Sequence, residues 1–270
     1  IMMRALWTGA SGMIAQQTNV DTIGNNLANV NTTGFKAETA EFKSLLYQTV
    51  QDTSTDSEGQ YKPLGVQVGL GVRNSAISTN FKQGSLLETG GDFDFAIEGE
   101  GFFMVQLEDG SVAYTRNGNL VMSIGNDGYT LTNGDGNPIL DANLNPVVVP
   151  AGYDIDDVAI DRFGNLTARG ADGNAHTIGV QIGLALFNNA GGLSKLGGSN
   201  YAATGASGEA NVTTADKSGT KFINGYLEGS NVQVVDEMVN LIVAQRAYEF
   251  NSKVINASDE MLQQANNLRS

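Results

Sequence analysis

Few side chains in this sequence could do chemistry. His176 is the single histidine, and there is no cysteine, which excludes disulfides, zinc–thiolate sites and thiol catalysis together. Asp92 and Asp94 stand two apart, so on a strand they share a face, as paired acid/base carboxylates do. In so acidic a chain that pairing is expected by chance. Asn133-Gly-Asp-Gly-Asn137 begins like a calcium loop, but Pro138 stands where the turn needs glycine and Leu144 where a bidentate glutamate closes the site. Gly99-Glu-Gly101 lacks the third glycine and the following helix of a dinucleotide fingerprint. No nucleophile, base and orienting group come together. The reading is of a chain that is not an enzyme, with no catalytic, metal or cofactor-binding residue and no cofactor.

The elements that would position any function are the two ends. From Val232 to Leu268, apolar or small residues recur at Val239, Val243, Ala247, Phe250, Val254, Ala257, Met261, Ala265 and Leu268, at the α-helical period. Ser230 with Gln233 reads as a capping box after Gly229, and neither proline nor glycine interrupts residues 231–268. One long helix is expected, with no later element to fold back on it. Its expected partner is the first stretch, where Met3, Leu6, Ala10, Met13, Val20, Gly24 and Leu27 mark a second seam and Gly34 a helix stop. Gly9, Gly12 and Gly24 each cost about 1 kcal/mol in a helix interior, so they read as points of close helix–helix approach.

Charge and hydropathy narrow the classes further. The chain of 270 residues has a net charge of −14. Residues 1–35 are neutral and residues 230–270 carry −2, which leaves −12 in the middle. That balance argues against nucleic acid or anionic membrane as partners. No apolar run approaches the ~18–20 residues that span a bilayer, so direct membrane insertion is not expected. The N-terminus lacks the plan of a cleaved signal peptide.

Between the ends, Phe35–Tyr47 is helix-compatible. Residues 51–62 are polar and acidic, an extended arm with Gln48, Asp52, Asp56, Glu58, Tyr61 and Lys62 as its marked residues. From Pro63 the pattern turns β-like, with strands expected over 94–97, 102–105 and 112–114 and a strand pair over 176–187. Turns at Asn117-Gly-Asn, Asn126-Asp-Gly, Asn133-Gly-Asp-Gly and Asp161–Asn165 support an antiparallel all-β domain. Residues 188–220 read as loop. The expected fold class is α+β. Residues 1–35 and 230–270 form paired, coiled-coil-like terminal helices, residues 36–75 a helix extension and arm, and residues 76–229 an inserted β-rich domain.

Several separated segments carry a family resemblance. Asn25-Asn-Leu-Ala-Asn29 with Asn31-Thr-Thr-Gly-Phe-Lys36, Gly99-Glu-Gly-Phe-Phe103, Tyr114-Thr-Arg-Asn-Gly118, Gly225-Tyr-Leu-Glu-Gly-Ser-Asn-Val232 and Val243-Ala-Gln-Arg-Ala-Tyr248 resemble the signatures of the bacterial flagellar rod and hook axial proteins, in order and over nearly the whole chain. Leu45-Leu-Tyr-Gln48, the polar arm and Leu64–Val72 resemble the rod-type members; the hook protein lacks this arm. The resemblance implies a structural subunit in the basal body, within the cell envelope and periplasm. Such a subunit is exported by the flagellar export apparatus without a cleaved signal and polymerises helically into a hollow shaft for torque. Implied partners are copies of the chain, other rod subunits, the hook protein and, where an outer membrane exists, a ring bushing. It also implies subunit interfaces on the N-terminal helix (Met3, Leu6, Ala10, Met13, Val20, Asn25, Leu27, Asn29) and on the C-terminal helix (Val239, Val243, Ala247, Phe250, Val254, Met261, Leu268). Within the family the main rival is a proximal rod subunit or the hook protein; from another class it is a secreted β-domain binding module with coiled-coil ends, which discrete oligomers on sizing would favour.

Overall fold

The computed structural model describes residues 2–51, 65–125, 128–150, 153, 157–169 and 175–267. In chain order it contains α1 (Met2–Ala28), β1 (Glu38–Ser44), β2 (Tyr47–Gln51), β3 (Val66–Gly69), β4 (Val72–Thr79), β5 (Leu86–Glu88), β6 (Phe95–Glu98) and β7 (Phe102–Gln106). There follow β8 (Val112–Thr115), β9 (Leu120–Gly125), β10 (Gly128–Asn133), β11 (Val148–Pro150), β12 (Val158–Ile160), β13 (Asn165–Arg169), β14 (Ala175–Gln181) and β15 (Leu184–Leu186). The last elements are β16 (Ser194–Gly197), β17 (Asn200–Ala202), β18 (Asn211–Thr213), α2 (Ala215–Ser218), β19 (Lys221–Asn224), β20 (Tyr226–Glu228) and α3 (Val234–Asn267). The class is α+β, with long helices at both ends and antiparallel strands between. The chain divides into two compact units. One holds Ile1–Ala28, Glu38–Thr79 and Gln233–Ser270; the other holds Asn29–Ala37 and Asn80–Val232.

The first unit is helical with two β-ribbons. β1 pairs antiparallel with β4, and β2 with β3. Residues 38–44 are therefore a strand, not the helix extension expected there. Local pattern permits a helix, but two non-local partners hold the strand. One is β4. The other is Asn26, whose side chain donates to the Glu38 carbonyl at 2.8 Å and accepts from the Glu38 N–H at 2.8 Å, as a neighbouring strand would. The helix ends differ from expectation too. α1 stops at Ala28; Gly34 does take a left-handed φ of 69°, six residues later, in a turn. α3 begins at Val234, so the Ser230–Gln233 box is not formed. Ser230 Oγ accepts from the Val232 N–H at 3.3 Å, and the Gln233 carbonyl receives the Glu237 N–H at 3.0 Å. Asp236 and Glu237 lie in the first turn, where the helix dipole favours acids.

The second unit is the β-rich one. Its largest sheet has the antiparallel order β16-β17-β8-β7-β15-β18, beside three-stranded sheets β11-β10-β9 and β12-β13-β14 and the ladders β19-β6 and β20-β5. β7 is buried on both faces, which is why it reads as a continuous apolar run. Phe103 and Val105 join one core with Phe95, Ile97, Leu131, Leu166, Ile182 and Phe222; Phe102 and Met104 join another with Tyr114, Leu140 and Tyr201. Edge-to-face rings lock the second core, Phe81 on Phe102 at 5.5 Å and Tyr114 on Phe187 at 4.8 Å. Residues 176–187 do not pair with each other: β14 pairs with β13, while β15 lies between β7 and β18. Residues 188–220 are not all loop but supply β16, β17, β18 and α2, short elements rich in small residues that lack a strong periodic signal.

Candidate assembly surface and a buried ionic cluster

In the helical unit, α1 and α3 run antiparallel in close contact. A Cβ on Gly9 would lie 3.0 Å from Ile255 Cγ1, and one on Gly12 2.7 Å from Asn251 Nδ2. Further along, Asn26 Nδ2 donates to Glu237 Oε1 at 3.1 Å. These three pairings advance in step along both helices, so the pairing is regular over most of α1. Two of the three glycines are thus points of close approach, as expected; Gly24 meets open space and is not. Ala15, Ile23, Thr22 and Asn26 are buried on α1, and Ala244 and Ser258 on α3. Thr22 and Ser258 satisfy their hydroxyls by donating to the carbonyls of Thr18 and Val254, both at 2.8 Å. On its strand side, α1 accepts from the Val72 N–H at Ser11 Oγ (3.3 Å) and from Asn74 Nδ2 at Thr18 Oγ1 (2.6 Å).

The α3 stripe read from the sequence is a different one. Val239, Val243, Phe250, Val254 and Met261 are exposed, and Ala247 is half-buried. The stripe turned toward α1 is Leu241, Ala244, Asn251, Ile255, Ser258 and Leu262, about 110° round the helix at 100° per residue. Its signal was small residues seven apart, Ala244, Asn251 and Ser258. On α1 the sequence-read residues Leu6, Ala10, Met13, Val20 and Leu27 are half-buried, Asn25 is exposed, and Asn29 lies beyond the helix in the other unit. The Met3 side chain and Leu268 lie outside the described residues. So do the arm residues Asp52, Asp56, Glu58, Tyr61 and Lys62, whereas Gln48 pairs with Val68 in the β2–β3 ribbon.

The distribution of exposed apolar side chains separates the units. Among the described residues, 25 large hydrophobic side chains are exposed, and 20 of them belong to the helical unit. They include Trp7, Ile14, Leu46, Tyr47, Val235 and Phe250. Among its described apolar residues that unit fully buries only Ala15, Ile23 and Ala244. Two-stranded ribbons without a buried face are marginal in water, and so are helices held by so small a core. Exposed apolar surface on this scale marks an interaction face.

The β-rich unit holds a cluster that sequence reasoning passed over. Glu228 Oε1 accepts from Lys36 Nζ at 2.5 Å and from the Gly84 N–H at 2.9 Å, while Oε2 accepts from Arg116 Nη1 at 3.2 Å. Lys36 Nζ also donates to the Lys82 carbonyl at 2.9 Å, and Arg116 Nη2 to the Gly99 carbonyl at 2.9 Å. The side chains of Lys36 and Glu228 are fully buried and that of Arg116 nearly so. Burial pushes the Lys36 and Arg116 pKa values down, and the Glu228 carboxylate opposes this in each case. Around it, Gly34 donates its N–H to the Glu228 carbonyl at 2.8 Å, and a Cβ on Gly34 would lie 2.7 Å from the Asn117 nitrogen. Asn231 Oδ1 accepts from the Ala37 N–H at 2.7 Å. The segments 31–36, 99–103, 114–118 and 225–232 therefore meet in one knot. The signal was a single lysine, arginine or glutamate in each of three segments otherwise built of glycine, asparagine and aromatic residues.

Asp94 and Asn133 serve turns, and His176 lies in β14 opposite Ala168. Asp94 accepts from Thr89 Oγ1 at 2.5 Å and Asn119 Nδ2 at 3.2 Å, and Asn133 Oδ1 accepts from the N–H groups of Asp135 and Asn137. Among the described residues, no three histidine or carboxylate groups gather as for a metal ion, and no helix is long and apolar enough to cross a membrane.

Three family models match the chain: a flagella basal body rod protein model over residues 6–36, a flagellar hook protein FlgE/F/G D1 domain model over 96–168, and a flagellar basal body rod FlgEFG protein C-terminal model over 223–268. The chain is 43% identical over 271 residues to the flagellar basal-body rod protein FlgG of Borreliella burgdorferi, covering 99% of each chain. It is 43% identical over 262 residues to FlgG of Agrobacterium fabrum (96% of this chain, 97% of that one), and 38% identical over 270 residues to FlgG of Bacillus subtilis (99% and 100%).

Proposed function

We propose, for a chain that belongs to the flagellar basal-body rod protein family, that it builds the distal segment of the rod by polymerising helically through its terminal helices. It is a structural subunit of the rod, placed in the basal body with rod and hook components as its neighbours. The polymer is a hollow, stiff shaft that passes torque from motor to hook. The helical unit forms the inner tube with coiled-coil-like helix pairs, and the β-rich unit forms an outer layer that turns inside a ring bushing where an outer membrane exists. Export through the flagellar apparatus delivers the chain to the periplasmic space.

The observation that carries this reading is the uneven exposure of apolar surface: among the described residues, 20 of 25 exposed large apolar side chains lie on a unit that buries three apolar residues. A head-to-tail contact whose rotation does not close makes a filament. A unit with so little core gains its stability from neighbours, so its ordering is coupled to assembly.

Limited proteolysis of the dilute, monomeric chain tests that coupling. Cleavage is expected within the first ~30 residues, within 38–79 and within the last ~40 residues, as the poorly supported backbone of the helical unit predicts. Residues 80–232 should survive. A peptide containing residues 29–37 should co-purify with them, held by the Lys36–Glu228 pair. Termini as resistant as residues 80–232, in a demonstrated monomer, would contradict folding on assembly.

A further inference from the structure

At one end of the helical unit, Arg4, Trp7 and Thr8 of α1 and Leu70 of the β3–β4 turn line an open notch of ≈ 240 Å³. The turn is held there by Gly71, at φ 115°, where a side chain would collide with Ser11, and by the Val72–Ser11 hydrogen bond. Trp7, the chain's single tryptophan, is 72% exposed in the notch wall. Arg4 is the only cation on α1 and makes no ion pair among the described residues.

The other end of the unit carries an exposed apolar face and the opposite charge. Asp236, Val239 and Val243 follow one another at helical spacing on one face of α3, all exposed, with Asp236 free of any ion pair among the described residues. The antiparallel register fixed by Gly9–Ile255, Gly12–Asn251 and Asn26–Glu237 sets Arg4 level with residues near 260 of its own α3. The Asp236–Val243 face is then some 16–24 residues away, about 25–35 Å at 1.5 Å per residue, and cannot fill the notch of its own chain.

We propose that the notch at Arg4, Trp7 and Leu70 receives the Asp236–Val239–Val243 face of a second copy, with Asp236 against Arg4 and the two valines against the indole. This rests on the polymer reading above and gives it a direction. Complementary surfaces at opposite ends of one helix pair join copies head to tail along the helix axis without closing. Phe250 and Met261, farther along the same stripe, fit less well. Phe250 carries Lys253 over its ring at 5.4 Å, which would bring a second cation to Arg4, and Met261 sits at the notch's own end.

A charge swap in the full-length chain tests it, read by pelleting of polymer and by the emission of the lone Trp7. Arg4→Glu and Asp236→Arg are each expected to raise the concentration needed for assembly about tenfold or more, by setting like charges together. The double variant should return to within about threefold of wild type, and wild-type assembly should shift Trp7 emission to the blue as the indole is covered. Arg4 is half-buried and Asp236 exposed, and both belong to the helical unit, so melting of residues 80–232 should not change. Wild-type polymer with a swap no better than the single variants, or with unshifted Trp7 emission, overturns this docking while leaving the polymer reading standing. A wild-type chain that never polymerises overturns both.

Discussion

Glu228→Gln is expected to lower the melting temperature of the β-rich unit by about 10 °C or more. The carboxylate neutralises Lys36 and Arg116 in a site that excludes water, and it also receives the Gly84 N–H. Removing one partner of a buried pair leaves uncompensated charge, at a cost of about 3–5 kcal/mol, and here two cations lose their counter-ion at once. For a unit of this size each kcal/mol shifts the midpoint by roughly 2–4 °C. Adding Lys36→Met to Glu228→Gln should recover part of the loss, because it removes a buried charge that no longer has a partner. Circular dichroism melting of the two variants is the measurement. A Glu228→Gln chain melting within about 2 °C of wild type would show that the cluster does not hold the knot together.

Phe250→Asp should abolish assembly and leave melting of the β-rich unit alone. Phe250 is 62% exposed, so the isolated chain loses little when it is replaced, and an aspartate three residues before Lys253 is tolerated on a free helix. The effect therefore falls on the interface. A charge placed in a desolvated seam costs several kcal/mol, enough to raise the assembly threshold by about 100-fold or more. Sedimentation of the variant beside wild type reads the outcome. Normal polymer from Phe250→Asp would remove the exposed α3 stripe from the interface.

The sequence shows both terminal helices and the strands near 94–97, 102–105 and 112–114, because their periodicities are long or their turns carry glycine and asparagine. It hides which side of α3 meets α1. That helix has two apolar stripes about 110° apart, and the bulky one, Val239, Val243, Phe250, Val254 and Met261, dominates the periodic pattern. The stripe turned toward α1 is marked by small or polar residues such as Ala244, Asn251 and Ser258, and Asn251 and Ile255 face Gly9 and Gly12, where close backbone approach replaces hydrophobic bulk. β1 is hidden for another reason. Residues 38–44 are compatible with a helix locally, and a strand is chosen by β4 and by Asn26, neither of them a neighbour in sequence. The ionic cluster is legible only as isolated charges within the family segments, since nothing local says that Lys36, Arg116 and Glu228 lie within hydrogen-bonding distance.

The two readings of the exposed helical unit differ most plainly in whether the chain adds to itself without limit. Negative-stain electron microscopy of the purified full-length chain at rising concentration asks this directly. Open-ended fibres of uniform width, appearing above a threshold concentration and dissolving on dilution, are the expected result. Single particles or closed oligomers of fixed size at every concentration would contradict the account.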